Sequence, residues 1–174
     1  MNILSIYPEK IFPVTSGGRQ RISSILNRLS QKNSVSALSF TEHYKKECDK
    51  KVSNIRYVLK CYTPTWYDML FRSCIRKIKF DEYILHNDHP FFYPSHTRII
   101  RKYPTDIVLC SHYYTLLSPW ITGLFKTTPL ILDQQNVESD LFPGTLKAEK
   151  FALKHADFVT CCSEEDRRKM IAMV

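Results

Sequence analysis

The densest run of chemically useful side chains is Asp133-Gln134-Gln135-Asn136-Val137-Glu138, directly after the apolar residues Leu130 to Leu132. A turn can use Asp and Asn for local hydrogen bonds, but a glutamine pair and a glutamate exceed what a turn requires. Such side chains suit hydrogen bonding to sugar hydroxyls, which donate and accept together. Asp133, Gln135, Asn136 and Glu138 are therefore candidate ligand contacts. His112 ends another apolar segment, and an imidazole is the side chain best suited to proton transfer near neutral pH. With Asp133 and Gln135 it completes the set of candidate catalytic residues. Gly17-Gly18 precedes a helical pattern, where backbone amides and the helix dipole favour negative charge and glycine lets the chain approach a phosphate or sugar closely. The spacing is not G-x-G-x-x-G, so a nicotinamide dinucleotide site is not expected. His86, Asp88 and His89 match no metal motif, and the six cysteines form no C-x-x-C pair, so no metal is expected. The pair Cys161-Cys162 closes an apolar run and reads as buried strand.

These residues need elements to hold them. Ile3 to Tyr7 is a short apolar run ended by Pro8, as expected of a buried strand. Ile22, Ile25, Leu26 and Leu29 recur at helical spacing and predict an amphipathic helix over Arg19 to Gln31. Further strands are predicted over Ser34 to Phe40, Asn54 to Cys61, Asp106 to Ser111, Leu130 to Asp133 and Asp157 to Cys162, with Thr41 to Lys51 a polar connection. Helices are predicted from Tyr67 to Lys79, Ser95 to Lys102, Thr115 to Phe125, and around Ala148, Phe151, Ala152 and Ala156. The stretch from Phe80 to Pro94 yields no clear element. Ser163 and Asp166 have the spacing of a capping box that opens a last helix. Alternating strands and helices predict an α/β fold, a Rossmann-like, doubly wound, mostly parallel sheet flanked by helices. Ligands in such folds bind beyond the carboxyl ends of the strands, after Tyr7, Cys110, Asp133 and Cys162.

The chain of 174 residues is 44% hydrophobic and 24% charged, enough for one core, and reads as a single domain over residues 1–174. Its 25 basic and 17 acidic residues give a net charge of +8, which points to an anionic partner. The basic face of the helix over Tyr67 to Lys79, with Arg72, Arg76, Lys77 and Lys79, suits an anionic membrane surface or a phosphate-bearing acceptor. No apolar run is long enough for a membrane span and the N-terminus lacks a signal-peptide pattern, so a cytoplasmic protein, at most peripheral at the inner face of a membrane, is expected. A different reading is a non-catalytic Rossmann-like module for nucleic acid or a protein partner. The ten tyrosines and ten phenylalanines could stack on bases, but they fall at core positions and no nucleic-acid motif is present, so no nucleic-acid partner is expected.

Four segments in order carry a resemblance: Gly17-Gly18-Arg19, Asp133 to Glu138, Glu149 seven residues before Ala156-Asp157, and Phe158 to Asp166. Together they resemble the N-terminal domain of a family 4 glycosyltransferase of the GT-B fold. The resemblance implies a retaining enzyme that moves a sugar from a nucleotide donor to a glycan or lipid-linked acceptor in a cleft between two domains. The N-terminal domain would hold the acceptor, and a C-terminal domain that this chain lacks would supply most of the nucleotide-sugar site. Gly17, Gly18, Arg19, Asp133, Gln135, Asn136, Glu138 and Ser163 become the implied substrate contacts, and no bound metal or cofactor is implied. Relatives often read Asp-x-His-Asn-Val-Glu, with histidine where this chain has Gln135. Glutamine keeps a hydrogen-bonding role but cannot act as a general base, and the family's front-face scheme lets the departing phosphate assist deprotonation. The chain ends at Val174 within a predicted helix, so a longer natural protein, and an inactive isolated domain, are expected.

Overall fold

The computed structural model describes residues 1–41, 47–61, 66, 69–70, 73–74, 100–123 and 126–174. Arg72, Arg76, Lys77 and Lys79, like His86 and His89, lie outside the described residues. The described elements are β1 (Asn2–Tyr7), α1 (Gly17–Leu29), β2 (Ser34–Thr41), β3 (Cys48–Val52), β4 (Ile55–Cys61), β5 (Ile107–Ser111) and a 3-10 turn (Tyr113–Leu116). There follow α2 (Leu117–Thr122), β6 (Leu130–Asp133), α3 (Glu138–Leu141), a second 3-10 turn (Pro143–Thr145), α4 (Leu146–His155), β7 (Phe158–Thr160) and α5 (Glu164–Met173).

The strands form one sheet in the order β3-β4-β2-β1-β5-β6-β7. Every neighbouring pair is parallel except β3 with β4. The α/β, mostly parallel architecture expected from the alternation is therefore present. β1 lies near the middle, and Ile3 to Tyr7 are all buried because both faces are covered. On one face Ile3, Tyr7, Val35 and Ala37 pack with Ile22 and Leu26 of α1. On the other, Leu4, Ile6, Val108, Cys110 and Leu132 pack with Tyr113, Ala148 and Ala152. Each large aliphatic side chain so enclosed contributes about 1.5–3 kcal/mol of burial free energy.

Three parts differ from the sequence expectation. The polar connection over Thr41 to Lys51 contains β3, an edge strand whose Asp49, Lys50 and Lys51 are exposed. It is held by pairing with β4 and by Arg56, which donates to Asp49 at 3.1 and 2.7 Å. The helix expected over Thr115 to Phe125 begins as the 3-10 turn at Tyr113, and α2 stops at Gly123, whose φ of 73° closes it. Cys161 and Cys162 are not buried strand. β7 ends at Thr160, all three of its residues are exposed, and Cys162 is exposed too, because β7 is the edge of the sheet.

Two aspartates close the amino ends of the strands in the same way. Asp106 accepts the Asn2 N–H at 2.7 Å while its own N–H reaches the Asn2 carbonyl at 2.8 Å. Asp157 does the same with Leu130, at 2.7 and 2.9 Å. Each aligns an incoming strand with its neighbour and so places the opposite, carboxyl ends at one level.

Candidate functional site

Strand order reverses between β1 and β5, since β2 leaves β1 on one side and β5 returns on the other. A doubly wound sheet opens a crevice beyond the carboxyl ends of its strands at such a reversal. Here those ends are Tyr7 and Ser111, with Asp133 next in line on β6.

The loop after β1 is anchored from beneath. Ile11 is fully buried and donates its N–H to Tyr57 Oη at 3.2 Å, and the Phe12 ring meets the Tyr57 ring edge-on at 5.1 Å. Ser16 then caps α1 by accepting the Arg19 N–H at 3.4 Å. The Arg19 guanidinium donates to Thr15 Oγ1 at 2.7 Å and Glu9 Oε2 at 3.0 Å, which fixes it along the loop. The two glycines have different surroundings. A Cβ on Gly18 would lie 2.7 Å from Gln135 Oε1 and 3.3 Å from Tyr7 Oη, whereas one on Gly17 would meet nothing within 4 Å. The close approach at Gly18 is thus to the chain's own Gln135, and Gly17 borders open space.

Asp133 is fully buried and occupied by the protein. Arg21 grips it with two bonds, at 2.7 and 3.4 Å, and Thr160 donates to it at 2.7 Å. That carboxylate holds the Arg21 guanidinium still more firmly in its charged form. Asp133 ties α1, β6 and β7 together, and its carboxylate offers no free face to a ligand. Gln134 is also enclosed, and its Nε2 donates to the Asn136 carbonyl at 2.9 Å and to Glu149 Oε1 at 3.1 Å. Glu149 reaches back from α4, fully buried, to accept the N–H groups of Glu138 at 2.8 Å and Ser139 at 3.0 Å. This explains the place of Glu149 in the sequence: it locks the loop that carries Gln135 and Asn136. Gln135 is partly exposed and Asn136 is exposed.

His112 and Glu138 complete the wall, with Nδ1 of the imidazole 3.3 Å from Glu138 Oε1. Tyr7 stands beside His112, ring centres 6.3 Å apart, and burial, followed by the charge of Glu9, pushes its phenol above the ordinary range. The Ser163 hydroxyl is taken up by its own helix. It accepts the Asp166 N–H at 3.0 Å and donates to Asp166 Oδ2 at 2.6 Å, so Ser163 serves as the cap of α5 that its spacing indicates.

Several polar atoms at the strand ends are enclosed yet have no hydrogen-bond partner: Ser111 Oγ, His112 Nδ1, Gln134 Oε1 and Gln135 Nε2. Such atoms are uncommon in folded proteins and call for an explanation. Among the described residues, no three His, Cys, Asp or Glu side chains are grouped to hold a metal ion. Sequence reasoning missed Arg21, Tyr57 and Thr160, whose partners lie far away in the chain. Arg21 and Asp133 are 112 positions apart, and nothing local marks the arginine.

No protein-family model matches the sequence, and no curated protein matches it by sequence. The fold does have counterparts among solved structures. Sucrose-phosphate synthase from Thermosynechococcus elongatus superposes with a TM-score of 0.61 at 13% identity, over 98% of this chain and 44% of that one. The trehalose-6-phosphate structure from E. coli bound with UDP-2-fluoro glucose gives 0.59 at 10% identity, over 99% of this chain and 42% of that one. The architecture is that of one half of the GT-B fold. The trehalose-phosphate synthase (UDP-forming) from Burkholderia vietnamiensis superposes similarly, with a TM-score of 0.52 at 12% identity over 98% of this chain and 42% of that one. The chain therefore spans about two-fifths of the length of these GT-B proteins.

Proposed function

We propose that the chain is the acceptor-side, N-terminal half of a retaining glycosyltransferase of the family 4 type, moving a sugar from a nucleotide donor to a glycan or lipid-linked acceptor. The observation that carries this reading is the row of polar side chains with accessible surface, the Gln135 and Asn136 amides and the His112 imidazole, which between them offer donors and acceptors at the strand ends of a GT-B half. A polyhydroxylated ligand brings donors and acceptors together and answers both kinds.

In this reading Gln135 orients a hydroxyl or phosphate oxygen through its amide, and Asn136 adds a second amide at the exposed rim. Neither takes a proton at neutral pH, so deprotonation of the acceptor falls to the departing phosphate. Gly17 borders the space through which the donor phosphates approach the amino end of α1. Asp133 acts at one remove by fixing Arg21 and the sheet edge. A second domain supplies the rest of the donor site, the nucleotide sugar is a co-substrate, and the scheme calls on no metal. The isolated chain accordingly transfers little sugar.

Ligand-observed NMR of the 174-residue chain against UDP-glucose, GDP-mannose and short oligosaccharides tests this. Binding that is weakened by Gln135→Ala is expected. Salt-sensitive binding to oligonucleotides with no response to any sugar would overturn it, as would turnover comparable with that of two-domain enzymes.

A further inference from the structure

The backbone of His112 has φ 71° and ψ 146°, a region that residues other than glycine rarely enter and that costs about 1–3 kcal/mol. The surroundings hold it there. Its N–H donates to the Asp133 carbonyl at 3.1 Å, and its own carbonyl accepts from the Thr115 N–H at 3.1 Å and the Thr115 hydroxyl at 3.0 Å. The ring lies parallel to that of Tyr114, 7° between planes and 5.4 Å between centres, with Tyr7 tilted against it.

The fourth side is Glu138. Its side chain is 12% exposed, and its Oε1 lies 3.3 Å from His112 Nδ1 but off the line of a hydrogen bond. A carboxylate on a largely buried side chain is costly unless it is paired. Among the basic side chains described, the His112 imidazole is the one that lies within ion-pair distance of it. Nδ1 is itself fully enclosed, so the remaining 15% exposure of the histidine side chain belongs to the rest of the group. Nε2 has no protein partner among the described residues. A small rotation of either group converts the contact into a bond from Nδ1–H to the carboxylate.

We propose that Glu138 is a positioning residue for His112: by accepting a hydrogen bond from Nδ1–H it keeps the proton there and leaves Nε2 unprotonated, as a hydrogen-bond acceptor for a ligand hydroxyl in the crevice. Which ring nitrogen carries the proton is decided by the bond the other makes, and here only one side offers an acceptor. The identity of the ligand rests on the glycosyltransferase reading, whereas the proton's location does not.

Long-range ¹H–¹⁵N spectra of the labelled chain at a pH where imidazole is neutral read the tautomer directly, with the His112 signals assigned by their loss in His112→Asn. The expected result is the Nδ1–H form in the native chain. Glu138→Ala should move the downfield, unprotonated ¹⁵N resonance from Nε2 to Nδ1, the form free imidazole side chains prefer in water. Glu138→Gln, whose carbonyl can still accept, should retain the native tautomer and shows that folding is intact. An Nε2–H tautomer in the native chain, or an unchanged spectrum in Glu138→Ala, overturns the proposal. A tautomer switch in a chain that ignores UDP-glucose, GDP-mannose and oligosaccharides sustains the positioning role and overturns the glycosyltransferase reading alone.

Discussion

A methyl group at Gly18 would sit 2.7 Å from the Gln135 amide, and one at Gly17 would touch nothing. The obstruction at Gly18 is the far end of a side chain, which can move, so Gly18→Ala should fold with stability within about 1 kcal/mol of native. It should displace Gln135 and weaken nucleotide-sugar binding. Gly17 has no positive φ, so Gly17→Ala should stabilise the chain by about 0.5–1 kcal/mol by restricting the unfolded state. Its added carbon enters the space assigned to the ligand, so binding should weaken although stability rises. Urea unfolding and titration with UDP-glucose read both effects. A Gly17→Ala chain that is more stable and binds unchanged removes this glycine from the site. In the sequence the two glycines look alike, because what separates them is the side chain of Gln135, more than a hundred residues away. Gln135, Asn136 and Glu138 stand out in the sequence because their polarity exceeds local need, and the structure sets them in the segment directly after β6. The duty of Asp133 is not legible, since a buried ion pair to another element leaves no local mark.

The loops of the site are stiffened by side chains from other elements, and each such tie can be cut. Glu149→Ala leaves the Glu138 and Ser139 amides and the Gln134 side chain without their shared acceptor. Losing a buried acceptor of this kind costs about 3 kcal/mol, so the urea midpoint should fall sharply at unchanged slope. A loss under about 1 kcal/mol would show that water replaces the carboxylate. Tyr57→Phe removes the acceptor for the Ile11 N–H while leaving the ring that packs on Phe12. The Ile11 amide should then exchange with solvent faster, at a stability cost of about 1 kcal/mol; an Ile11 exchange rate equal to native would mean that packing alone holds the loop. Elements with a buried face are readable from the sequence. β1 is apolar because both its faces are covered, and α1 shows its stripe because Ile22 and Leu26, flanked by Ile25 and Leu29, pack against the sheet. β3 escapes such reading because it is a charged edge strand whose order comes from backbone pairing with β4. β7 misleads in the opposite sense: Phe158 and Val159 are apolar yet exposed, Phe158 by 67%.

For the whole molecule, buried acids make alkaline pH destabilising. Burial pushes the Cys110 thiol up from 9.0 to about 12, and burial likewise raises the phenols of Tyr7, Tyr57 and Tyr103. Below pH 9 the thiol keeps its proton in both states and its contribution is fully present. Above pH 9 the unfolded state releases that proton first, so stability falls as pH rises towards 12. For Cys110 alone the loss is about 1.4 kcal/mol by pH 10. Urea unfolding from pH 7 to 10.5 should therefore fall less steeply in Cys110→Ala than in the native chain; identical slopes would show that the thiol is already exposed to base. Charge acts on the outside of the molecule as well. Among the described residues no helix is long and apolar enough to cross a membrane. The excess of basic residues over acidic ones that gives +8 includes Arg72, Arg76, Lys77 and Lys79 in the helical pattern over Tyr67 to Lys79. A basic amphipathic helix gains about 1 kcal/mol per Lys or Arg at an anionic lipid surface. Reversing these four residues to glutamate should therefore lower vesicle binding on the order of a thousandfold. Sedimentation with vesicles rich in phosphatidylglycerol should carry down the native chain, lose it at high salt, and lose it at low salt with the four reversals. Equal sedimentation with phosphatidylcholine alone, or with the reversed chain, would assign these charges to an acceptor's phosphate instead of a membrane.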